Sequence, residues 1–509
     1  MTTLVLAAWF VRGELALSTE LVGLEDGAVV SDVTAQATAV RVTASPADRV
    51  QGATLLLDGQ PVGGQASRQG DELVWPVPPG LPEGPHRLTV VVPRWGPLGE
   101  ASKTVSFTVD RQPPVVEVTA APAPVAIDTP VVVAGRTEPG AVVRFGDLQA
   151  SVAPDGRFEL ALPHPPAGLA GLVVTDAAGN AAAAPVRVPV AYPPSAGVHV
   201  TGAAWSYGPL RHGVLDLVDE GRVNVVELDL KDESGVVNYD TAVGLAHEIG
   251  AVERYFDLHE AVAELHDRGV RVVGRIVAYR DPVLAHAAWS RGWRDWVVQG
   301  PTGEPLEADG GFTNPAHPEV RRYNLDLALE AADAGVDDIL WDYIRRPEGA
   351  LDQMVFPGLT GTVEAAVVEL LVEGHGPLRQ RGVFQGASVF GVAASRPADV
   401  AQDVVLMGHH LDYVAPMVYP SHWRAGEYGV EDPDGQPYEI VAASVADFVR
   451  VLAGSGVAIV PWLQDFSLGN DYGADQVRAQ IEAAASVGVG SFLLWDPSVT
   501  YTSEGIDPR

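Results

Sequence analysis

The feature that most constrains this chain is an alternation of short apolar segments with amphipathic ones between residues 197 and 496. Apolar runs separated by helical patterns are typical of βα units, in which helices join parallel strands. Strands are predicted at 197–205, 223–230, 270–279, 337–344, 383–392, 411–419, 457–466 and 490–496. Helices are predicted between most of them, including 258–269, 318–335 and 473–488. Eight such units predict a (β/α)8 TIM barrel over residues 194–509, with a last helix that is short or missing.

The region before the barrel has a different pattern, in which short alternating runs are separated by turn residues. Strands are predicted at 39–45, 53–62, 86–92 and 103–110. The pair Asp58-Gly59 between two apolar runs predicts a hairpin. We therefore predict two all-β sandwiches, at 20–110 and 111–193, and an interdomain linker at 191–197 that its two prolines stiffen.

The second of these regions also resembles a known kind of module. The segments TEPGAVVRF, APDGRFELALP and VTDAAGN are similar to bacterial immunoglobulin-like modules of extracellular and cell-wall proteins. The resemblance implies immunoglobulin-like sandwiches that act as spacers or contact a glycan or the cell wall. A fold by itself does not establish a function.

The first residues, 1–19, include an apolar run from Leu4 to Val11. This run is far shorter than the about 20 residues that a membrane-spanning helix needs. It also lacks the basic stretch that opens a secretory signal. We interpret it as the end of a truncated signal or anchor, and a first β-strand is the alternative. Together with the modules, it favours an extracellular or cell-envelope location in a bacterium.

The charge of the chain excludes several classes of partner. Asp and Glu number 66 against 33 Lys and Arg, which gives a formal net charge of -33. Such a field repels nucleic-acid phosphates and anionic membranes. Solubility at high salt is an alternative origin of this acidity. The chain has no cysteine, so disulfides, thiolate metal sites and cysteine nucleophiles are excluded.

In a barrel of this kind the active site lies at the carboxyl ends of the strands. The second predicted strand ends in Glu227, Asp229, Lys231 and Asp232, and the third contains Arg275. Strict alternation places residues 227, 229 and 231 on the inward face. Charged groups there are costly unless they pair or take part in function. A ring of ion pairs that closes the barrel is the structural alternative.

The fourth predicted strand ends in LWDYIRRP. Its Asp342 stands between Trp341 and Tyr343 at the end of a hydrophobic strand, where a barrel hydrolase places a nucleophile. Arg345 can pair with a carboxylate and keep it ionised. The alternative is a buried structural Asp–Arg pair.

The later strands end in aromatic and polar side chains. Candidate substrate-binding residues there are Tyr419, His422, Trp423, Trp462, Gln464, Trp495 and Asp496. Sugar rings offer apolar faces and hydroxyl edges, which such side chains can bind. The pattern therefore predicts a saccharide cleft and a polysaccharide substrate, while ordinary packing of tryptophans in the barrel is the alternative.

Six blocks of the chain carry a resemblance to a family: VVELDLKDESGVVNY, RIVAYRDPVLA, WDYIRRP, DYVAPMVYPSHW, YGVEDPDGQPYE and VPWLQDF. In this order they resemble a bacterial family of glycoside hydrolase domains, distantly related to alpha-amylase-type barrels, over about 197–502. The resemblance implies hydrolysis of O-glycosidic bonds, with Asp342 in the place of the nucleophile. It also implies functional roles for Asp229, Lys231 and Asp232.

Two positions depart from the pattern of that family. Ser388 stands after the fifth strand where the family tends to have an acidic residue, and Asn314 stands where it often has an aspartate. A serine is far too weak an acid to protonate a glycosidic oxygen. Either Asp465 supplies the proton, with Glu227 or Asp496 as further candidates, or the barrel is degenerate and the protein binds glycan or cell wall without cutting it.

A metal-dependent deacetylase is the other enzyme class that the sequence raises. His409 and His410 with Asp412 form the one His-rich cluster, but no third histidine has motif spacing. We therefore predict no metal site. No organic cofactor is implied either, because phosphate-binding glycine loops and dinucleotide fingerprints are absent in recognisable form.

Overall fold

The computed structural model describes residues 11–119, 124–168, 170–306 and 310–508. It divides into two compact units. The first comprises the described residues of Met1–Ala120, Val132–Leu162 and Gly171–Val186, and the second those of Ala121–Val131, Pro163–Ala170 and Arg187–Arg509. The predicted domain boundaries stay predictions, and the apolar run proposed as a signal lies, except for Val11, outside the described residues.

The first unit is built of short strands in mainly antiparallel sheets. Its strands are β1 (Ser18–Val22), β2 (Ala28–Val30), β3 (Ala39–Ser45), β4 (Thr54–Leu57), β5 (Gln60–Pro61), β6 (Ser67–Gln69), β7 (Glu72–Pro76), β8 (Gly84–Pro93), β9 (Glu100–Val109), β10 (Glu117–Val118), β11 (Val131–Arg136), β12 (Val142–Phe145), β13 (Leu148–Ser151), β14 (Arg157–Leu162), β15 (Ala170–Thr175) and β16 (Ala181–Val186). A short helix, α1 (Asp32–Ala37), follows β2.

These strands form four sheets, in the orders β1-β3-β7-β6, β2-β9-β8-β4-β5, β10-β11-β14 and β13-β12-β15-β16. Alternate residues such as Val40, Val42 and Trp75 are fully buried in a common core. The predicted hairpin is confirmed, because Asp58 and Gly59 join β4 to β5 with φ of 50° and 79°. Two positive φ angles in a two-residue loop match the twist of the paired strands. The sheets are consistent with β-sandwich modules.

The second unit contains the barrel. Its strands are β17 (Ala196–Val200), β18 (Val225–Lys231), β19 (Val237–Tyr239), β20 (Val252–Phe256), β21 (Arg271–Val277), β22 (Asp338–Asp342), β23 (Phe384–Phe390), β24 (Tyr413–Met417), β25 (Ala458–Ile459), β26 (Trp462–Gln464) and β27 (Phe492–Trp495). Parallel pairing runs from β17 through β18, β21, β22, β23, β24, the split strand β25/β26 and β27 back to β17. All eight predicted strands are present, and the predicted closed (β/α)8 barrel is confirmed.

The helices between the strands cover the outside of the barrel. They are α2 (Gly202–Ser206), α3 (Gly208–Asp219), α4 (Gly244–Ile249), α5 (Leu258–His266), α6 (Pro282–Arg291), α7 (Pro318–Asp333), α8 (Val363–Gln380), α9 (Val404–Gly408), α10 (Pro437–Val451) and α11 (Ala474–Ser486). The side chains of Asp257 and Thr362 cap α5 and α8 by accepting backbone N–H bonds. After β27 a single 3-10 turn, Ser503–Gly505, precedes residue 508. None of the helices in the described ranges is both long and apolar enough to cross a membrane.

The barrel interior changes from apolar to polar along the strands. Near their amino ends, Tyr413 fills the space left by Gly386, where an added Cβ would lie 2.2 Å from the Tyr413 ring. Tyr192, from the segment before β17, packs on Tyr413 at 4.4 Å between ring centroids and donates to Asp338 at 2.6 Å. Nearer the carboxyl ends, the register sets Asp229 beside Arg275. The strands therefore present charged groups at the end where barrels of this kind form their sites.

Candidate active site

A cleft of about 530 Å³ opens at the carboxyl ends of the barrel strands. Its walls combine aromatic and charged side chains, which is the composition expected of a site that binds sugar rings. The predicted residues that line it are Arg275, Asp342, Tyr343, Arg345, Tyr419, His422, Trp423, Trp462 and Trp495. The cleft is also lined by residues outside this predicted set, among them Glu233, Arg280, Glu348, Phe390 and Met417.

Asp342 ends β22 and lies in the wall of the cleft, with 6% of its surface exposed. Its Oδ2 accepts two hydrogen bonds from Arg275, at 2.9 Å from Nε and 2.7 Å from Nη2. Its Oδ1 accepts the backbone N–H of Tyr343 at 2.7 Å. These three hydrogen bonds fix the orientation of the Asp342 carboxylate. The partner of Asp342 is thus Arg275 on the neighbouring strand, whereas the sequence suggested Arg345.

Arg275 lies at the centre of the site, and only 2% of its surface is exposed. Besides Asp342, its Nη1 donates to Asp229 Oδ1 at 2.5 Å, and Glu233 Oε2 lies 3.4 Å from Nη1 and 3.5 Å from Nη2. Its guanidinium also lies over the ring of Trp495, 5.3 Å from the centroid. Burial lowers the pKa of Arg275, but the surrounding carboxylates outweigh that effect and raise it well above its ordinary value.

Glu233 is the second carboxylate of the cleft, after Asp342, that contacts Arg275. It follows β18 in a loop, and 43% of its side chain is exposed. Burial raises its pKa, but the charge of Arg275 and a backbone hydrogen bond outweigh burial and leave the pKa below its ordinary value. Glu233 could not be predicted from the sequence, since no periodicity orients the side chain of a loop residue.

Tyr343 turns sharply out of β22 with a φ of 45°, in the left-handed region that a bulky residue rarely adopts. Its hydroxyl accepts from Arg280 at 2.9 Å, and its ring lies against the guanidinium groups of Arg280 and Arg345, at 5.1 and 4.8 Å. Arg345 also contacts the ring of Phe390 at 4.6 Å. Strained backbone of this kind clusters at functional sites.

The aromatic wall is held by contacts within the barrel. The indole of Trp462 donates to the hydroxyl of Ser388 at 3.0 Å, so Ser388 supports this wall from the position where the resemblance led us to expect an acid. Trp495 meets Trp462 edge-on at 5.7 Å. Burial raises the pKa of Tyr419 and lowers that of His422, which keeps both neutral near pH 7.

Asn314 also has a structural place. Its amide donates to the carbonyl oxygens of Asp295 and Pro357, both at 2.8 Å, and the residue is fully buried.

Lys231 does not reach the cleft, and the prediction that it binds substrate is corrected. A shift in strand register between Asp229 and Lys231 breaks the alternation that placed both residues inward. Lys231 is fully buried, and its ammonium donates to Asp281 and Asn324, both at 2.7 Å. Its role here is a structural ion pair.

Two of the proposed catalytic acids do not line the cleft either. Glu227 is fully buried and bonds to the imidazole of His199. Asp465 is 4% exposed and accepts the backbone N–H of Thr502 at 2.8 Å, which directs it toward the C-terminal segment. Burial raises the pKa of Asp465 to about 6, but the residue does not line the cleft.

The remaining predicted binding residues stabilise loops around the cleft. Asp232 accepts backbone bonds from Ser234 and Val236, and burial raises its pKa to about 6. Asp496 accepts the backbone N–H of Ser498 at 2.6 Å. Gln464 accepts from Ser421 and donates to Phe466. Asp229 contacts Arg275 rather than the open cleft.

Among the described residues, one group of His, Asp and Glu side chains brings a possible metal ligand from each member within 4.8 Å of the others. It consists of His199, Glu227 and Asp229, all buried. Arg275 supplies the neighbouring positive charge, with Nη1 on Asp229 and Nε 3.9 Å from Glu227, which disfavours a cation there. The His409–His410 cluster of the deacetylase hypothesis precedes β24, and Asp412 pairs with Arg379.

Several solved structures are similar to this chain. A hypothetical protein from Ruminiclostridium thermocellum ATCC 27405 is 26% identical, with 37% of this chain and 96% of that chain covered and a TM-score of 0.33. The PgaB (BpsB) glycoside hydrolase domain from Bordetella bronchiseptica is 15% identical, with coverages of 62% and 100% and a TM-score of 0.46. The alpha-galactosidase TtGalA from Thermus thermophilus is 14% identical, with coverages of 83% and 88% and a TM-score of 0.40. At these scores the likenesses carry no conclusion about activity.

No curated protein matches the chain. The sequence model of one family, DUF4015, described as "Putative glycosyl hydrolase domain", matches residues 197–501. This match spans more than half of the chain and almost the whole barrel, including the cleft. The chain therefore belongs to this family of glycosyl hydrolase-like domains.

Proposed function

We propose that the barrel is a glycoside hydrolase that cleaves a polysaccharide with Asp342 as nucleophile and Glu233 as acid and base. The observation that carries the proposal is the shared contact of the two carboxylates with Arg275. Asp342 Oδ2 and Glu233 Oε2 lie 2.7 and 3.5 Å from the same nitrogen, Nη2. Two carboxyl groups on one cleft are the minimum that glycoside hydrolysis needs.

The separation of these two oxygens favours a retaining mechanism. Because both contact one nitrogen, they lie no further apart than the sum of those two distances. That sum is below the about 6.5 Å from which the carboxylates of inverting enzymes begin, a spacing that leaves room for a water molecule. Retaining enzymes instead use a pair about 5–5.5 Å apart and a covalent intermediate.

The proposed reaction has two steps. In the first, Glu233 donates its proton to the glycosidic oxygen while Asp342 attacks the anomeric carbon, so that the C–O bond breaks and a glycosyl ester of Asp342 forms. In the second, Glu233 takes a proton from water as the water attacks the anomeric carbon, which releases Asp342 and a sugar of retained configuration. Asp342 suits the role of nucleophile because Arg275 and the Tyr343 N–H hold its carboxylate in place in the wall of the cleft.

Glu233 suits the role of acid and base because it is more exposed than Asp342 and is bound less tightly by Arg275. Its contacts with Arg275, at 3.4 and 3.5 Å, are longer than those of Asp342. A sugar that covers Glu233 removes water from it, and burial raises the pKa of a carboxyl group. Substrate binding therefore prepares Glu233 to hold the proton that it donates.

The test is to incubate the protein with a panel of polysaccharides and to assay new reducing ends, with the anomer of the first product determined by NMR. We expect release from at least one glycan with retained configuration. Inversion would contradict the assignment of Asp342 as nucleophile. Binding of a glycan without any release would favour the alternative of a non-catalytic glycan-binding protein, which the serine at position 388 suggested.

The proposed acid leads to a specific pH dependence. In the free protein the pKa of Glu233 lies below its ordinary value, and a general acid must be protonated. We therefore expect kcat/KM to fall as the pH rises through that low pKa. Because bound sugar raises the pKa, the corresponding fall in kcat should occur at higher pH. Profiles of both constants from pH 3 to 8 measure the difference.

A matched variant makes this assignment decisive. Glu233→Gln should slow polysaccharide hydrolysis by about 100-fold or more, within the range of acid catalysis. It should slow cleavage of an activated aryl glycoside much less, since that leaving group needs no proton. Glu348→Gln, in the same cleft but not in contact with Arg275, is the control. Equal losses on both substrates, or coincident limbs of the two pH profiles, would exclude Glu233 as the acid.

For the N-terminal unit we propose immunoglobulin-like modules that hold the barrel against a glycan or the cell wall outside the cell. The support is the similarity of TEPGAVVRF, APDGRFELALP and VTDAAGN to such modules, and the antiparallel sheets that these segments form. The unit expressed alone should bind insoluble cell-wall polysaccharide in a sedimentation assay. If the unit does not sediment with any such glycan, it acts as a spacer and does not bind the cell wall.

A further inference from the structure

A histidine that the catalytic assignment does not use lies directly behind the cleft. His199 is on the first barrel strand, β17, and is fully buried. Its imidazole stacks on Trp495 with the ring centroids 4.0 Å apart and an interplanar angle of 19°. Trp495 lines the cleft. Sequence reasoning missed His199, because a lone histidine in an apolar strand resembles an ordinary core residue.

Both nitrogens of His199 face carboxylates on the second strand. Nδ1 is bonded to Oε2 of Glu227, and Nε2 lies 3.6 Å from Oδ2 of Asp229. The other oxygen of Asp229 accepts from Arg275 Nη1 at 2.5 Å. A continuous series of contacts therefore runs from His199 through Asp229 and Arg275 to Asp342 on the fourth strand.

The carboxylates around Arg275 outnumber it, so a second positive group is needed to balance their charge. Arg275 alone faces four carboxylates, since Glu227 lies 3.9 Å from its Nε in addition to Asp229, Glu233 and Asp342. Burial lowers the pKa of His199, but Glu227 and Asp229 outweigh burial and raise it, which favours the imidazolium. A protonated His199 thus neutralises part of the negative charge of Glu227 and Asp229. Without His199, these two carboxylates would attract the Arg275 guanidinium more strongly and draw it away from Asp342.

We propose that His199 and Asp229 are positioning residues, which hold the Arg275 guanidinium in the orientation that presents its Nε and Nη2 to Asp342. The inference rests on the proposed function. Neither residue touches the substrate, because Asp229 is 1% exposed and His199 is fully buried. Asp229 is thereby reassigned from substrate binding to the support of Arg275.

Substitutions that preserve one nitrogen at a time test this assignment. His199→Gln can place an amide nitrogen near Nε2, on the side of Asp229, whereas His199→Asn can place one near Nδ1, on the side of Glu227. Asp229→Asn keeps the shape of the carboxylate and removes its charge. Misplacement of a catalytic group by about 1 Å costs on the order of 100-fold in rate.

With the glycan that the wild-type protein cleaves, we expect Asp229→Asn and His199→Asn to lower kcat about 100-fold while KM stays within about threefold. His199→Gln should retain more activity than His199→Asn, and Asp229→Glu should recover part of the loss. Circular dichroism and the thermal midpoint confirm that each variant is folded.

Three results would overturn the inference: unchanged kcat in folded Asp229→Asn or His199→Asn, a loss confined to KM, or greater activity in His199→Asn than in His199→Gln. The first two would leave His199 and Asp229 as packing or sugar-contacting residues, and the third would place the coupling through Glu227. Because the wild-type protein is assayed beside them, these outcomes differ from failure of the proposed function, in which no glycan is cleaved by any form.

Discussion

Asp342→Asn should abolish polysaccharide hydrolysis, with kcat reduced by about 1,000-fold or more, because an amide cannot form the glycosyl ester at a useful rate. The change removes one charge and almost no volume. The amide retains one good acceptor, but its NH2 group must face either Arg275 or the Tyr343 N–H, both of which are donors. That mismatch costs about 1–3 kcal/mol, so the variant should remain folded and should still bind the glycan.

Rescue by an external anion distinguishes a catalytic nucleophile from a residue that activity requires for another reason. In Asp342→Gly the space of the carboxylate is open, and added azide can attack the anomeric carbon of an activated aryl glycoside from the same face. The expected product is a glycosyl azide whose configuration is opposite to that of the substrate. Rescue of Glu233→Gly with inversion, but not of Asp342→Gly, would reverse the two assignments, and wild-type rates in Asp342→Asn would exclude a role for this residue in the chemistry.

The barrel could be predicted from the sequence because its causes are local. Apolar runs of strand length, such as that leading to Asp342, recur between amphipathic helices, and each strand's end is marked by the change from apolar to polar side chains. The same rule located much of the cleft, since Tyr419, Trp462 and Trp495 end their strands in it.

The contacts that decide the chemistry are not local, and the sequence could not supply them. Strict alternation assigned Lys231 to the cleft, whereas a register shift after Asp229 turns it outward. Position alone made Asp465 the best candidate for the acid, but a contact with Thr502, distant in sequence, draws it away. Glu233 is recognised as a candidate acid only through its contact with Arg275, which reaches it from the neighbouring strand.

Arg275→Met should destabilise the barrel by about 3–5 kcal/mol, because it removes the cation from several buried carboxylates at once. It should also abolish activity, since Asp342 then loses the two side-chain hydrogen bonds that orient its carboxylate. In the folded protein burial already raises the pKa of Asp229 to about 6, above the unfolded value of about 3.9, and loss of the guanidinium that lowers this pKa raises it further. The folded variant then holds this proton to higher pH than the folded wild-type protein, so its loss of stability relative to wild type grows as the pH rises above about 6. Urea unfolding followed by tryptophan fluorescence at several pH values measures this.

Lys231→Met is the matched control, because Lys231 is an equally buried cation on the adjacent strand but belongs to the pair with Asp281. It should lose a similar amount of stability and yet retain the kcat of the wild-type protein at a temperature where it is folded. Arg275→Lys covers the case in which Arg275→Met does not fold, since it keeps the charge. One ammonium cannot reproduce the paired bonds to Asp342 while also holding Asp229, so this variant should fold and still lose most of its activity. Full activity in Arg275→Lys would mean that charge alone suffices, and the proposed orientation of Arg275 by His199 and Asp229 would then have no catalytic consequence.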